Sequence, residues 1–423
     1  MNTSVNRSPG LWVPTLYFAQ GLPFVIVTSV SSVALLKLGW TAAEVALFTS
    51  GLNLPWTIKP LWGPLLERWG TRRGWIVAMQ AVAALALAGI AFVLPHKDWL
   101  TLTLGLFLGL GFASATHDIA ADGFYMLALG SRTQAELTGV RNTFFRIAML
   151  AGNGGLIWLA GWGEKQWGSA TAWPAAFVAV AALMLCISLY HWRILPKPAA
   201  DARINAPRVE AGEFVRIWAS FVQRPGFARM LAFIFLYRLG ESQLLKGNQA
   251  FLLDKRAAGG LALATDELGY LYGTLGILAL LAGGLLGGKA IARTGLRRQL
   301  WPMALAINLP HFIYIWLALT QPTSHALIGG GIALEQFGYG YGFAAYMVYL
   351  LYVARGAHPT SHYALCSGAM ALGAMLAGGI AAAALTALDN NYLHFFIWAT
   401  VTGFIGLATL WKLPLEADFG RRD

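Results

Sequence analysis

The strongest constraint on this chain is a succession of apolar stretches, each long enough to cross a bilayer as a helix, which needs roughly 20 residues at 1.5 Å rise each. They lie near residues 12 to 36, 42 to 66, 75 to 95, 99 to 127, 139 to 162 and 171 to 192. A polar break with prolines and both charge signs follows, from Arg193 to about Arg224, and six more runs come after it. These fall near 228 to 252, 266 to 290, 300 to 319, 325 to 352, 361 to 387 and 391 to 412. Only 12% of the residues are charged, about half the share of a soluble domain, so the surface must be apolar and must face lipid. The pattern predicts an all-α membrane protein of about twelve transmembrane helices. Residues 1–192 and 225–423 are expected to form two six-helix bundles, joined by a linker over 193–224.

The net charge of +11 is accounted for by topology. With the N-terminus placed in the cytoplasm, about nineteen basic residues fall on the inner side and about five on the outer. The inner set includes Arg132, Arg193, Lys197, Arg203, Arg208, Arg298, Arg355, Arg421 and Arg422; the outer set is Lys37, Lys97, Lys165, Lys255 and Arg256. Both termini are therefore expected in the cytoplasm, and no basic surplus is left for a nucleic-acid partner. Cys186 and Cys366 sit far apart inside apolar runs and read as small buried hydrophobes, not as a disulfide or metal pair. No metal or cofactor is implied, and the first run, lacking a small-residue cleavage signature, reads as a retained helix. Thr41 with Glu44 has capping-box spacing at the start of the second run, and Thr265 with Asp266 and Glu267 supplies a cap and acids at the start of the eighth.

Ionisable groups interrupt the runs. Each costs about 2.5 to 3.5 kcal/mol near a helix centre, so each needs a partner or a water-filled cavity. They are Lys59, Asp118, Asp122, Arg146, Arg238, Glu241, Lys246 and Glu335, with His117, Asn142 and Gln336 beside them. Asp118 and Asp122 are four apart and share a helix face, where each raises the other's proton affinity unless a cation intervenes. A bundle joining them to Lys59 and Arg146 is the economical arrangement, either as a static network or as a proton or gating relay. Arg238 and Glu241, three apart, can pair on one face. His117 and Asp118 are adjacent and point about 100° apart, so a bundle-bonded histidine is expected, not a dyad. Phe337, Tyr339, Tyr341 and Phe343 alternate with glycines; on a helix this scatters the rings and permits close packing. Tyr17, Trp56, Trp62 and Tyr125 are further aromatic candidates for stacking on a solute.

Three stretches recur about 220 to 226 residues apart, as duplicated halves do. Leu16-Tyr17 with Gln20-Gly21 is echoed by Leu236-Tyr237 with Gly240-Glu241, and Ala148 to Gly152 by Ala374 to Gly378. The third echo is the most specific: Gly63, Glu67, Arg68, Gly70, Arg72 and Arg73 recur as Gly288, Ala292, Arg293, Gly295, Arg297 and Arg298. This glycine, acid, Arg-x-Gly-x-Arg-Arg loop between second and third helices resembles that of the major facilitator superfamily, and the resemblance runs along the whole chain. It implies the major facilitator fold, with the first, fourth, seventh and tenth helices lining a central cavity, and it makes the loop a cytoplasmic gate. Because Ala292 replaces the acid, an acid latch is expected only in the first half.

Within that superfamily the chain resembles the muropeptide permease (AmpG-type) family. The carrying segments are Tyr17 to Phe24, Lys59 to Arg68, Ala115 to Gly123, Phe145 to Leu150 and Leu236 to Gly240; the family usually has Gln at His117 and Tyr at Phe145. The resemblance implies a monomeric, proton-driven importer of amino-sugar or anhydro-muropeptide-like solutes in the bacterial inner membrane, not an enzyme. It assigns coupling or gating to Asp118, Asp122, Lys59, Arg146, Glu241 and Glu335. The solute-binding candidates are Gln20, Tyr17, Trp62, Tyr125, Asn142, Arg238, Lys246 and Gln336. The implied partners are the solute, protons and membrane lipid. A siderophore or acyl-CoA carrier of the same superfamily is the alternative, and a membrane-embedded transferase a more distant one.

Overall fold

In the computed structural model the described residues are 8–62, 66, 70–96, 100–129, 131–198, 201, 211–355, 359–411, 413–416 and 419–420. Each apolar run is helical there. The first is Pro9–Lys37, the third Arg72–Val93, the fourth Leu100–Ala128 and the sixth Ser169–Ile194. The eighth is Thr265–Thr294, the tenth His325–Ala354, the eleventh Pro359–Ala387 and the twelfth Tyr392–Ala408. Eight described helices are long and apolar enough to cross a bilayer, and Tyr392–Ala408 is a shorter apolar one. These helices carry large apolar side chains on their outer surface, among them Leu85, 73% exposed, and Leu285, 69% exposed. The protein is a multi-pass membrane protein.

Six of the described runs depart from one uninterrupted α-helix, where hydrophobicity alone gives a continuous one. The second divides into Ala42–Gly51, Leu54–Ile58 and a 3-10 turn Lys59–Leu61 with a proline in its first positions. The ninth breaks into Leu296–Asn308 and His311–Thr320 at Pro310, whose missing N–H cannot continue the ladder. The seventh divides into Phe227–Leu236 and Leu239–Leu253 with no proline at the break. The fifth, Ser131–Leu150 and Ile157–Trp167, passes through a π turn at Ala151–Leu156. Further π turns lie at Ile26–Val30 and Gly269–Gly276. The first two π turns meet, Ser29 Oγ donating to Asn153 Oδ1 at 2.7 Å, and a Cβ on Gly152 would collide with Val25. A short helix, Ala211–Val222, lies within the expected linker.

Helix starts follow local chemistry. Thr41 and Glu44 form the expected reciprocal box, with N–H to Oε2 at 2.9 Å and the return bond at 3.3 Å. At the eighth helix the cap shifts by one residue from Thr265: the N-cap is Ala264, whose N–H donates to Glu267 Oε2 at 2.8 Å.

The described chain divides into two compact units, one of residues 1–38 and 58–208, the other of 39–57 and 209–423. In the first unit, the third helix packs against the fourth and sixth, and the first against the fourth and fifth. In the second, the tenth packs against the eighth and ninth, and Ala42–Gly51 packs against the seventh and eleventh. The alternating glycines explain the tenth helix's two contacts. A Cβ on Gly340 would collide with Leu280 O of the eighth helix, and one on Gly338 or Gly342 with Ala306 O or Met303 O of the ninth. Absent side chains thus let backbones touch, which is how membrane helices gain packing energy.

Adjacent glycines of the eighth helix give a controlled test. A Cβ on Gly283 would strike the Phe337 carbonyl, whereas one on Gly284 meets its nearest atom at 3.7 Å. Gly283→Val is expected to cost about 1–3 kcal/mol or more, read as a lower unfolding temperature in detergent, and Gly284→Ala to leave it nearly unchanged.

Candidate transport site

In the first unit the two aspartates of the fourth helix are each held by one cation and one neutral donor. Lys59 Nζ donates to Asp118 Oδ2 at 2.6 Å, and Gln20 Nε2 donates to Asp118 Oδ1. Arg141 Nη2 lies 2.9 Å from Asp122 Oδ1, to which the Tyr17 hydroxyl also donates at 3.2 Å. The Arg141 guanidinium stands 4.6 Å over the Tyr17 ring and 5.7 Å from that of Tyr125, and those two rings meet edge to face at 5.7 Å. Cation–π contact adds about 0.5–2 kcal/mol to holding a charge there. Both pairs are part-exposed, with side-chain exposures of 26% and 19% for Lys59 and Asp118, and 31% and 37% for Arg141 and Asp122.

Sequence reasoning missed Arg141 and named its neighbours instead. Asn142 and Arg146 lie on the same helix with exposed side chains. The available signal was the demand of a second intramembrane carboxylate for its own cation. Trp62 is placed by its indole N–H, which donates to Thr116 Oγ1 at 3.2 Å, and by Phe112 at 5.5 Å. His117 is the expected bundle-bonded histidine, and its partner extends a chain. Gln80 Nε2 lies 2.9 Å from His117 Nε2, Gln80 Oε1 lies 3.0 Å from His191 Nδ1, and His191 Nε2 lies 2.9 Å from Thr15 Oγ1. One amide thus bridges two buried imidazoles and fixes their orientation.

In the second unit the pair forms within one helix. Arg238 Nη2 and Glu241 Oε2 are 2.9 Å apart, and the other half of the Arg238 environment is aromatic. Tyr339 lies 5.3 Å, Phe343 4.7 Å and Tyr346 5.8 Å from its guanidinium carbon, and Arg238 Nη2 also donates to Tyr339 Oη at 2.9 Å. The alternating rings of the tenth helix therefore resolve into two faces, Tyr339 with Phe343 towards Arg238, and Phe337 with Tyr341 stacked at 6.3 Å. Glu335 is buried and accepts from Gln336 Nε2 at 2.9 Å. Gln336 Nε2 also reaches Tyr272 Oη at 3.4 Å, as does Asn248 Nδ2 at 3.3 Å. Lys246 Nζ donates to Thr49 Oγ1 at 3.0 Å.

These are charged and aromatic side chains gathered inside apolar helices, a constellation suited to binding and moving a solute. Comparison with known proteins agrees: the sequence model of the Major Facilitator Superfamily matches residues 15–382. The chain belongs to that superfamily. It is 26% identical over 367 residues to a Rickettsia conorii protein named AmpG 4, covering 84% of this chain and 85% of that one. It is 25% identical over 407 residues to the anhydromuropeptide permease of Escherichia coli K12, covering 93% and 77% respectively. A crystal structure of a D-xylose-proton symporter aligns with a TM-score of 0.72 at 12% identity, covering 99% of this chain and 98% of that one. A bacterial homologue of the lysosomal transporter Spinster aligns at 0.70 and 15%, covering 97% of each chain. At such identities these structures speak for the fold alone. The chain is a Major Facilitator transporter, not an enzyme.

Of the superfamily's loop motif, Gly63, Glu67 and Arg68 lie outside the described residues. The remainder shows why the motif recurs. Gly70 has φ +90° and Gly295 φ +82°, left-handed values that favour glycine, and each leads directly into the next helix. In the first unit, Arg72 N–H and Arg73 N–H donate to the two carboxylate oxygens of Asp201 at 2.8 and 3.0 Å. An acid thus sits on the N-terminus of the third helix, favoured by the helix dipole, and Arg73 Nε donates to Leu195 O at 3.2 Å. Gly123 leaves room for the Arg72 side chain, whose Cδ would lie 2.8 Å from a Cβ there. In the second unit Arg293 and Arg297 are exposed. Asp201 was not legible as part of this motif because it lies in the polar linker.

The Lys59–Asp118 pair can be tested by removing one partner or both. Lys59→Met alone leaves a carboxylate uncompensated and is expected to cost roughly 2 kcal/mol, less than a fully buried pair because solvent reaches it. Lys59→Met with Asp118→Asn is expected to recover most of that loss in detergent thermal unfolding.

Proposed function

We propose that this transporter is a proton-coupled importer of an amino-sugar or cell-wall-derived, anhydro-muropeptide-like solute. It would work as a monomer in the bacterial inner membrane, by alternating access of halves spanning 1–192 and 225–423 with both termini cytoplasmic. The observation that carries the proposal is the doubled arrangement on the fourth helix: two carboxylates one turn apart, each with its own cation and its own neutral donor. Such a set can take up a proton on one carboxylate while the other keeps its cation. When Asp122 gains a proton, Arg141 loses its counter-ion but keeps the faces of Tyr17 and Tyr125, and it becomes available to another acceptor. Asp118 stays compensated by Lys59 throughout.

The solute class rests on the relatives. The Escherichia coli protein that matches 93% of this chain is an anhydromuropeptide permease, and the Trp62 ring, only partly buried, offers a face on which a sugar can stack. Transport follows if solute and proton favour the same rearrangement of the ion pairs, since a ligand shifts an equilibrium only by its differential affinity for the two states.

Proteoliposomes with an imposed pH gradient test both parts. Wild type is expected to concentrate an anhydro-disaccharide, and Asp122→Asn to lose concentration while retaining solute exchange at equal pH. An Asp122→Asn protein that concentrates solute as well as wild type ends the coupling role; a wild type that moves no amino sugar ends the solute assignment.

A further inference from the structure

Three intramembrane cations among the described residues are paired with a carboxylate. Lys59 has Asp118 at 2.6 Å, Arg141 has Asp122 at 2.9 Å and Arg238 has Glu241 at 2.9 Å. Lys246, on Leu239–Leu253 of the seventh helix, has no carboxylate within 4.0 Å among the described residues. Its hydrogen bond goes to Thr49 Oγ1 at 3.0 Å, a neutral acceptor whose own proton is given to Val45 O at 2.7 Å. An ammonium has three donors, so two remain unspent.

Two polar side chains nearby in sequence already have partners. Glu241 holds Arg238, and Gln243 spans Leu239 O, Thr402 and Trp398. Among the buried acids of the second unit, Glu335 is occupied by Gln336. The lysine stem lies in a slot built for it: on the eleventh helix Gly378 would, with a Cβ, collide with Ser50 and come within 3.2 Å of Lys246 Cε. The residue as a whole is only partly buried. A lone cation kept in an apolar helix at a cost of about 2.5 to 3.5 kcal/mol requires a use.

We propose that Lys246 is the counter-ion for a carboxylate on the transported solute. A monoanion balances one ammonium, whereas a dianionic phosphate would leave charge in excess. The unspent N–H groups supply two hydrogen bonds of the charge-assisted kind, and a solute whose carboxylate is absent or esterified forfeits them. Selectivity follows from the group left unpaired more than from the bond gained. The assignment sharpens the import reading above by fixing the charge of the solute, but it does not depend on the solute being a sugar.

The test uses the purified full-length protein in detergent and two acid–ester pairs. One pair is N-acetylmuramic acid and its methyl ester; the other is an acetylated dipeptide and its methyl ester. At least one acid is expected to bind tenfold or more tighter than its ester, measured by calorimetry or by the rise in unfolding temperature. Lys246→Gln is expected to bring that acid down to its ester, and Lys246→Arg to keep part of the difference. Equal binding of acid and ester by wild type, no binding of either acid, or Lys246→Gln retaining the difference overturns the proposal. If the dipeptide pair shows the effect and the sugar pair does not, the role of Lys246 stands and the amino-sugar assignment falls. A ligand-free measurement completes the test. Lys246→Met is expected to unfold at or above the wild-type temperature, because an uncompensated cation has been removed, whereas a fall of several degrees makes Lys246 a structural tie to Thr49 and overturns the proposal.

Discussion

A charge inside an apolar helix is costly unless a partner compensates it, and that constraint organises most of the charged groups described in both units. In the first unit the compensation is spread over four runs. The first supplies Tyr17 and Gln20, the second Lys59, the fourth both aspartates and the fifth Arg141. Tyr17 reaches the later aspartate and Gln20 the earlier one, so the first and fourth helices meet antiparallel with their polar faces in register. A three-residue step on one helix and a four-residue step on the other both return to the same face. The ion pairs therefore align these helices, and a shift of register would strip two carboxylates of their donors at once.

The second unit meets the same requirement locally. Arg238 and Glu241 pair across three residues, and three aromatic rings of the tenth helix surround the guanidinium. The seventh helix is interrupted at this arginine, with Arg238 at φ −107° and ψ 13° between Phe227–Leu236 and Leu239–Leu253. The glycines of the tenth helix belong to the same arrangement. They let that helix press on the eighth and ninth through its backbone, while Tyr339 and Phe343 lie against Arg238 of the seventh.

Much of this was legible in the residues. Apolar runs, the Thr41–Glu44 box and the Arg238–Glu241 pair are determined by composition and helical spacing, which act within a few residues. Lys59 could be grouped with the two aspartates, though not assigned to Asp118 over Asp122, because all these charges had to be explained inside the membrane. The rest depends on which helices become neighbours. Arg141 and Asp122 lie on different helices, and nothing in the spacing along either distinguishes Arg141 from Arg146. The Thr15, His191, Gln80 and His117 chain crosses four helices through residues that look unremarkable one at a time. Pro310 announces a break, whereas the π turns at 26–30, 151–156 and 269–276 carry no proline and arise where helices pack closely.

Solvent access separates the roles these charges can take. Glu241 is 1% exposed at its side chain and Arg238 13%, while Arg141 and Asp122 are each about a third exposed. Partner exchange requires that a proton or a solute reach the pair before it opens, because an opened pair in hydrocarbon has nothing else to bond with. The enclosed pair is suited to bracing the interrupted seventh helix. The open pair is suited to exchange, and its guanidinium keeps two tyrosine faces when its carboxylate is neutralised. The proposed coupling is thus best served where the charges are compensated but not enclosed, on the fourth and fifth helices of the first unit.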